Sequence, residues 1–177
     1  GQYKREDVIR IARLAKEALE LRLTVGTVVM ELSVCHAGDR QGRAIVFPSN
    51  AHLERKCGVG ERAIRDALSK LVDERLIARR DSANQKRFSQ DGESFGFDLT
   101  PMLLREDEFA RIIAERAAAR RERKRLLAII GSERRQARIC IEWLAQHSTA
   151  NTDTLAERFA RLAKSTPRPT SKADVGA

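Results

Sequence analysis

Aromatic residues are scarce in this sequence: Phe, Trp and Tyr together make up 5% of its 177 positions. A core must therefore be assembled from Leu, Ile, Val and Ala, and the 42% hydrophobic content is enough to build one. Cysteine is scarce too. Cys35, Cys57 and Cys140 are odd in number and widely spaced, which speaks against a disulfide framework and suits reduced thiols in a cytoplasm. No apolar run is long enough to span a bilayer, and no signal peptide is expected at Gly1-Gln2-Tyr3-Lys4. The basic stretches lack a clean, wide apolar face, so a membrane surface is the weaker partner. His52 with Cys57, or Cys35 with His36, could ligate a metal, but no four-ligand set has zinc spacing; buried thiols and a solvated His are expected instead. No Ser-His-Asp, Cys-His or paired-carboxylate arrangement stands out, so neither catalysis nor a cofactor is expected.

Acidic residues fall short of basic ones, 25 Asp and Glu against 34 Lys and Arg, for a net charge of +9 and a pI of about 10.1. A globular chain this basic repels itself unless something anionic is near, which makes nucleic acid the default partner. The Gly58-Val59-Gly60-Glu61-Arg62-Ala63 run looks like the start of a dinucleotide fingerprint. It follows a helical pattern and has no parallel-sheet unit around it, so it is discounted.

Along the chain, Val8, Ile11, Ala12, Ala15, Ala18 and Leu19 predict an amphipathic helix over residues 5–21. Val25, Val28, Val29 and Leu32 fit a buried helix over 23–35, although the β-branched content leaves a strand open. Residues 38–42 read as a loop. A short apolar run, Ala44 to Phe47, stops at Pro48. Ser49 or Asn50 can cap a helix over 50–57, and Gly58 can end it in a left-handed conformation. A second helix over about 60–75 places Ile64, Leu68, Leu71 and Val72 on one face, with Arg62, Arg65, Asp66 and Ser69 on the other. Two strand-like runs follow, flanking a polar tip at Ser82 to Arg87, with the return strand within 87–99. Pro101 opens a long helical region, as a first-turn proline can. Gly131-Ser132 either stops and restarts this helix or is crossed at a cost of ~1 kcal/mol. A last helix near 153–163 precedes a Ser/Thr/Pro tail that reads as a disordered linker.

Strand, helix, turn, helix, hairpin is the order of a winged helix-turn-helix, an architecture that mostly binds duplex DNA. The expected fold is thus mainly α with a small β-hairpin, followed by long basic helices. In such a fold the second helix enters the major groove, where Arg62, Arg65 and Ser69 would reach base edges. Glu61 and Asp66 would accept from cytosine or form local ion pairs with the arginines. Ser49, Asn50 and Lys56 would anchor the backbone, and a basic wing bearing Arg79, Arg80, Ser82, Asn84, Lys86 and Arg87 would follow the phosphates or dip into the minor groove. The bland alternative is a solvated charged face on an ordinary core helix. The Arg111 to Arg138 stretch, with ten basic residues against three acidic ones, could extend the phosphate surface or form a dimerisation helix. Arg116 and Arg120 interrupt its seam, which argues against a long coiled coil.

The run IVFPSNAHLERKCGVGERAIRDALSKLVDERLIARRDSANQKRF, followed by FGFDLTPMLLREDEF, resembles the N-terminal domain of RepC-type plasmid replication initiators, the repABC family of alphaproteobacteria. Its most specific pieces are Phe47-Pro48-Ser49-Asn50, Leu76 to Ser82 with Asn84, Lys86 and Arg87, and Phe95-Gly96-Phe97-Asp98-Leu99. The clear resemblance covers residues 44–140. It implies a MarR-like winged helix that binds a plasmid origin lying within the initiator's own coding sequence, and it implies no enzymatic activity. By position the groove helix is Glu61 to Ser69, the cap Ser49-Asn50 and the wing Arg79 to Arg87. Where the family more often has a Ser or Thr cap before the groove helix, this chain has Gly60-Glu61. Gly caps nearly as well but offers no hydroxyl to a phosphate.

The expected organisation is a DNA-binding domain over 1–100, a helical extension over 101–164 and a linker over 165–177. Double-stranded origin DNA is the expected partner. Self-association into a homodimer, and host replication proteins recruited through a C-terminal region absent from this chain, complete the list; no membrane is on it. Two rivals stand beside this reading: a dimeric winged-helix repressor on a promoter operator, and a protein-interaction module that uses the same fold.

Overall fold

The computed structural model describes residues 3–40, 42–80, 88–90, 93–148 and 151–167, without the side chains of 88–90 and 93–95. The chain divides into two compact units, Gly1–Ala114 and Glu115–Ala177. It is mainly helical, with one small antiparallel sheet. No helix among the described residues is long and apolar enough to cross a membrane.

In the first unit, α1 (Arg5–Ala18) buries Val8, Ile11, Ala12, Ala15 and Ala18 along one stripe. Alanines in that stripe keep the helix thin and let α2 (Leu23–Val34) approach closely. The β-branched run of α2 is helical, not extended. Val25, Val28, Val29 and Leu32 are buried at helical spacing, and α1, α3 and α4 all pack on this one helix. Burial from several sides overrides weak intrinsic propensity. Two of its hydroxyls bond back one turn, Thr27 to the Leu23 carbonyl and Ser33 to the Val29 carbonyl, both at 2.8 Å.

Helix α3 (Asn50–Cys57) begins at Ser49, whose Oγ accepts from the His52 backbone N–H at 3.1 Å. It ends at Gly58, which is left-handed at φ 67°. Helix α4 (Glu61–Asp73) follows after two more residues. Two helices end in a left-handed residue that is not glycine. α1 ends at Ala18, three residues short of the periodicity's reach, because Glu20 turns left-handed at φ 49° and the Leu21 N–H bonds the Lys16 carbonyl. α4 closes in the same way, with Arg75 at φ 54° and Leu76 N–H on the Leu71 carbonyl. Both are Schellman closures in which backbone bonding and apolar contact offset the left-handed penalty of a non-glycine residue.

The sheet consists of β1 (Ile45–Val46), β2 (Ala78–Arg80), β3 (Phe88–Gln90) and β4 (Glu93–Asp98). β4 is its centre: β1 and β2 flank its Gly96–Asp98 end, and β3 pairs with its beginning. Gln90 pairs with Glu93 at the end of that ladder. The hairpin tip expected at Ser82 to Arg87 lies outside the described residues.

Beyond β4, Pro101 opens only a single turn, α5 (Thr100–Leu103). The chain leaves it at Leu104-Arg105 before α6 (Glu106–His147) starts. The expectation that Pro101 begins the long helix is therefore corrected. α5 is capped from the sheet: Asp98 Oδ1 accepts from Thr100 N–H at 2.9 Å. α6 runs unbroken through Gly131-Ser132, so the restart is not used.

In the second unit, α6 carries half-buried Leu127, Ile130, Arg134, Ala137, Ile141 and Leu144, spaced alternately by three and four residues. α7 (Asp153–Ser165) offers half-buried Phe159 and Ala163. Arg134 joins the two helices: it donates to the Ala163 and Thr166 carbonyls at 2.8 and 2.6 Å and also bonds the Thr166 hydroxyl. A cation at the last carbonyls of α7 complements that helix's dipole. Residues 168–177, most of the expected linker, lie outside the described residues.

Candidate nucleic-acid interface

Helix α4 has two sharply different faces. Ile64, Ala67, Leu68 and Leu71 are buried, none more than 3% exposed. Opposite them, Glu61, Arg62, Arg65, Asp66 and Ser69 are all exposed. The apolar spacing of three and four residues fixes this division, because any rotation of the helix would drive a charge into the core. Gly60 stands at the N-cap with extended backbone and no side-chain bond, so the first amides of α4 carry no competing hydroxyl.

The charged face is internally paired. Arg62 Nε lies 4.0 Å from Asp66, with the two side chains 94% and 76% exposed. Arg65 Nη2 lies 3.7 Å from Glu61. Both are one-turn pairs at long range and in water, where such contacts are weak and screened by salt. The arginines can exchange these carboxylates for another acceptor at little cost.

The other candidate residues are spread more widely. Ser49 is exposed, but its Oγ is engaged in capping α3. Asn50 does not share the open face: it is half-buried, and its Oδ1 is enclosed without a hydrogen-bond partner. Lys56 is exposed at the end of α3 beside Arg55, also exposed, which sequence reasoning passed over although the two adjoin. On β2, Arg79 is exposed and Arg80 half-buried, as alternation along a strand requires. Ser82, Asn84, Lys86 and Arg87 lie outside the described residues.

One supporting residue had no sequence signal. Arg105 Nη1 donates to the Glu74 carbonyl at the end of α4 at 2.8 Å, while Nε and Nη2 grip the Glu108 carboxylate at 2.8 and 2.9 Å. Its guanidinium also lies 4.9 Å from the centre of the Phe109 ring. The Arg105 hydrogen bonds hold the Glu108 carboxyl below its ordinary value. Between α2 and α3, Cys35 and Cys57 are half-buried. Burial first, and then the Glu31 carboxylate, pushes both thiols up.

The chain has relatives among known proteins. The family described as Replication protein C N-terminal domain matches residues 1–145. A protein of Rhizobium rhizogenes named "Putative replication protein C" is 32% identical over 182 residues, which cover 95% of this chain and 44% of the relative. One of the same name from Sinorhizobium fredii (strain NBRC 101917 / NGR234) is 36% identical over 142 residues, 74% of this chain and 34% of the relative. The chain thus spans less than half the length of the curated relatives it matches.

Proposed function

This chain belongs to the replication protein C family, and we propose that its part in plasmid replication is sequence-specific binding of duplex DNA at the origin. In this reading α3, α4 and the β2–β4 strands act as a winged helix-turn-helix. The observation that carries it is the open face of α4, where Arg62, Arg65 and Ser69 project from a helix whose opposite face is fully buried.

The chemistry follows from those side chains. α4 enters the major groove, and an arginine there makes two parallel hydrogen bonds to guanine O6 and N7. To do so Arg65 leaves Glu61, and Arg62 leaves Asp66. Lys56 and Arg55, at the end of α3, neutralise phosphates and set the register. Arg79 and the basic residues after β2 supply the wing contacts. The chain works as a binding module, not a catalyst; recruitment of host replication proteins belongs to a region beyond it.

The test is fluorescence anisotropy with a duplex from the plasmid's own initiator gene and a scrambled duplex, each across a salt series. Preference for the origin duplex at physiological salt supports the reading. Equal binding to both that collapses with salt leaves only the counterion-release term and sinks it. Arg65→Ala is expected to cost ~1–3 kcal/mol on the origin duplex and to flatten preference at one base pair. Lys56→Ala should weaken both duplexes alike and lower the salt slope by roughly one unit. Unchanged discrimination in Arg65→Ala would remove α4 from the groove.

A further inference from the structure

Three ligand-type side chains meet between α2 and α3. Glu31 lies in the last turn of α2 and Cys35 is its C-cap, four residues on and therefore on the same side of the helix. His52 comes from the first turn of α3. Its Nε2 is 3.0 Å from Glu31 Oε1 and 3.7 Å from Cys35 Sγ. The three donor atoms all lie within 4.8 Å of one another.

Hydrogen bonding accounts for only part of this arrangement. An imidazole nitrogen carries at most one proton, and a single N–H points along one line. Whichever tautomer His52 adopts, Nε2 serves either the carboxylate or the sulfur well, and not both. A cation at the centre would satisfy all three donors. Tetrahedral coordination with bonds of about 2.0–2.3 Å separates ligand atoms by about 3.3–3.8 Å. The observed 3.0 and 3.7 Å bracket most of that range, so small side-chain rotations would complete the site.

We propose that Glu31, Cys35 and His52 form a binding site for a borderline divalent cation of the Zn2+ class, with water in the fourth position. One sulfur, one nitrogen and one oxygen select such a cation over Mg2+ or Ca2+, which take oxygen ligands. His52 and Glu31 are 33% and 19% exposed, so the site is open to ion entry yet partly shielded from water. On binding, the Cys35 thiol proton leaves to solvent as the sulfur–metal bond forms, and His52 ligates through Nε2. Such a site ties α2 to α3, the helix that precedes α4. Cys57, in the last turn of α3, stays outside the ligand set.

Titration of the reduced 177-residue chain with Co2+, read by absorbance, tests this. Wild-type protein should give a thiolate-to-Co2+ charge-transfer band that saturates at one ion per chain and is displaced by Zn2+. Cys35→Ser should abolish the band. His52→Gln and Glu31→Gln should weaken binding at least about tenfold, since even loss of an outer-shell partner costs that much. Cys57→Ser and Cys140→Ser should leave it intact. Circular dichroism of each variant separates lost ligation from lost folding, and the two Gln variants carry the test if Cys35→Ser unfolds. No band in wild-type protein with excess Co2+, or a band that survives Cys35→Ser, would overturn the assignment. So would a band lost with Cys57→Ser or Cys140→Ser.

Discussion

Asp98→Ala is expected to lower the unfolding free energy of the N-terminal unit by about 2–3 kcal/mol, read as a lower denaturant midpoint with an unchanged slope. Asp98 ends β4 and is 2% exposed. One carboxylate oxygen accepts from the Thr100 N–H at 2.9 Å and the other from Arg43 at 3.0 Å. Thr100 in turn accepts from the Ala44 N–H at 3.1 Å through its hydroxyl. The carboxylate therefore joins β1, β4 and the start of α5. Removing it leaves the Thr100 N–H, on a half-buried residue, without its partner. The cost stays below the ~3–5 kcal/mol of a fully enclosed pair, because Arg43 is 55% exposed and regains water. Asp98→Asn should fall between, since its amide oxygen can still cap α5 but faces Arg43 without a charge. A midpoint unmoved in Asp98→Ala would show that this network contributes nothing net.

Gly96→Ala should cost about 1–3 kcal/mol and act on the sheet itself. A Cβ at Gly96 would lie 2.3 Å from the Val46 carbonyl oxygen and 2.9 Å from the Phe47 ring. The first obstacle is backbone, so no rotamer change relieves it; β1 must move away from β4. Only two residues of β1 pair there, Ile45 with Asp98 and Val46 with Phe97, so little of this ladder remains once β1 moves. Hydrogen exchange should report the damage locally, with faster exchange at Val46 and Phe97 than at α1. Wild-type protection at those amides would mean the backbone yields more easily than its packing suggests.

Much of α3 and α4 was legible because the signals are local. Ser49 before a helical pattern and Gly58 after it are the residues a cap and a left-handed terminus require. The division of α4 into a buried and an open face follows from Ile64, Leu68 and Leu71, and its one-turn ion pairs follow from spacing alone. The closures at Glu20 and Arg75 left no such trace, because a non-glycine residue turns left-handed only when the following Leu21 or Leu76 can bond back. Nor could the sequence separate helix from strand at α2, whose form depends on the three helices packed around it. Asn50 looked like a second cap, yet Ser49 holds that role and the Asn50 amide oxygen is enclosed without a partner. Glu31, Cys35 and His52 escaped a search by spacing for a related reason: two are a helical turn apart and the third arrives from another helix.

The paired charges on α4 bear on how such a surface would search a genome. Glu61, Arg62, Arg65 and Asp66 sum to zero, so the outward face adds almost nothing to the attraction that every phosphate chain exerts on a basic protein. Loose association with random duplex then depends on residues beyond that face, such as Arg55 and Lys56. An arginine of α4 leaves its carboxylate profitably only where a base offers two acceptors in the right place. Competing sites in a genome number in the millions, and a binder is useful only to the extent that it declines them. In the proposed reading, a groove helix with no net charge would decline by default, which would keep the protein free for the few sequences that can dislodge its arginines.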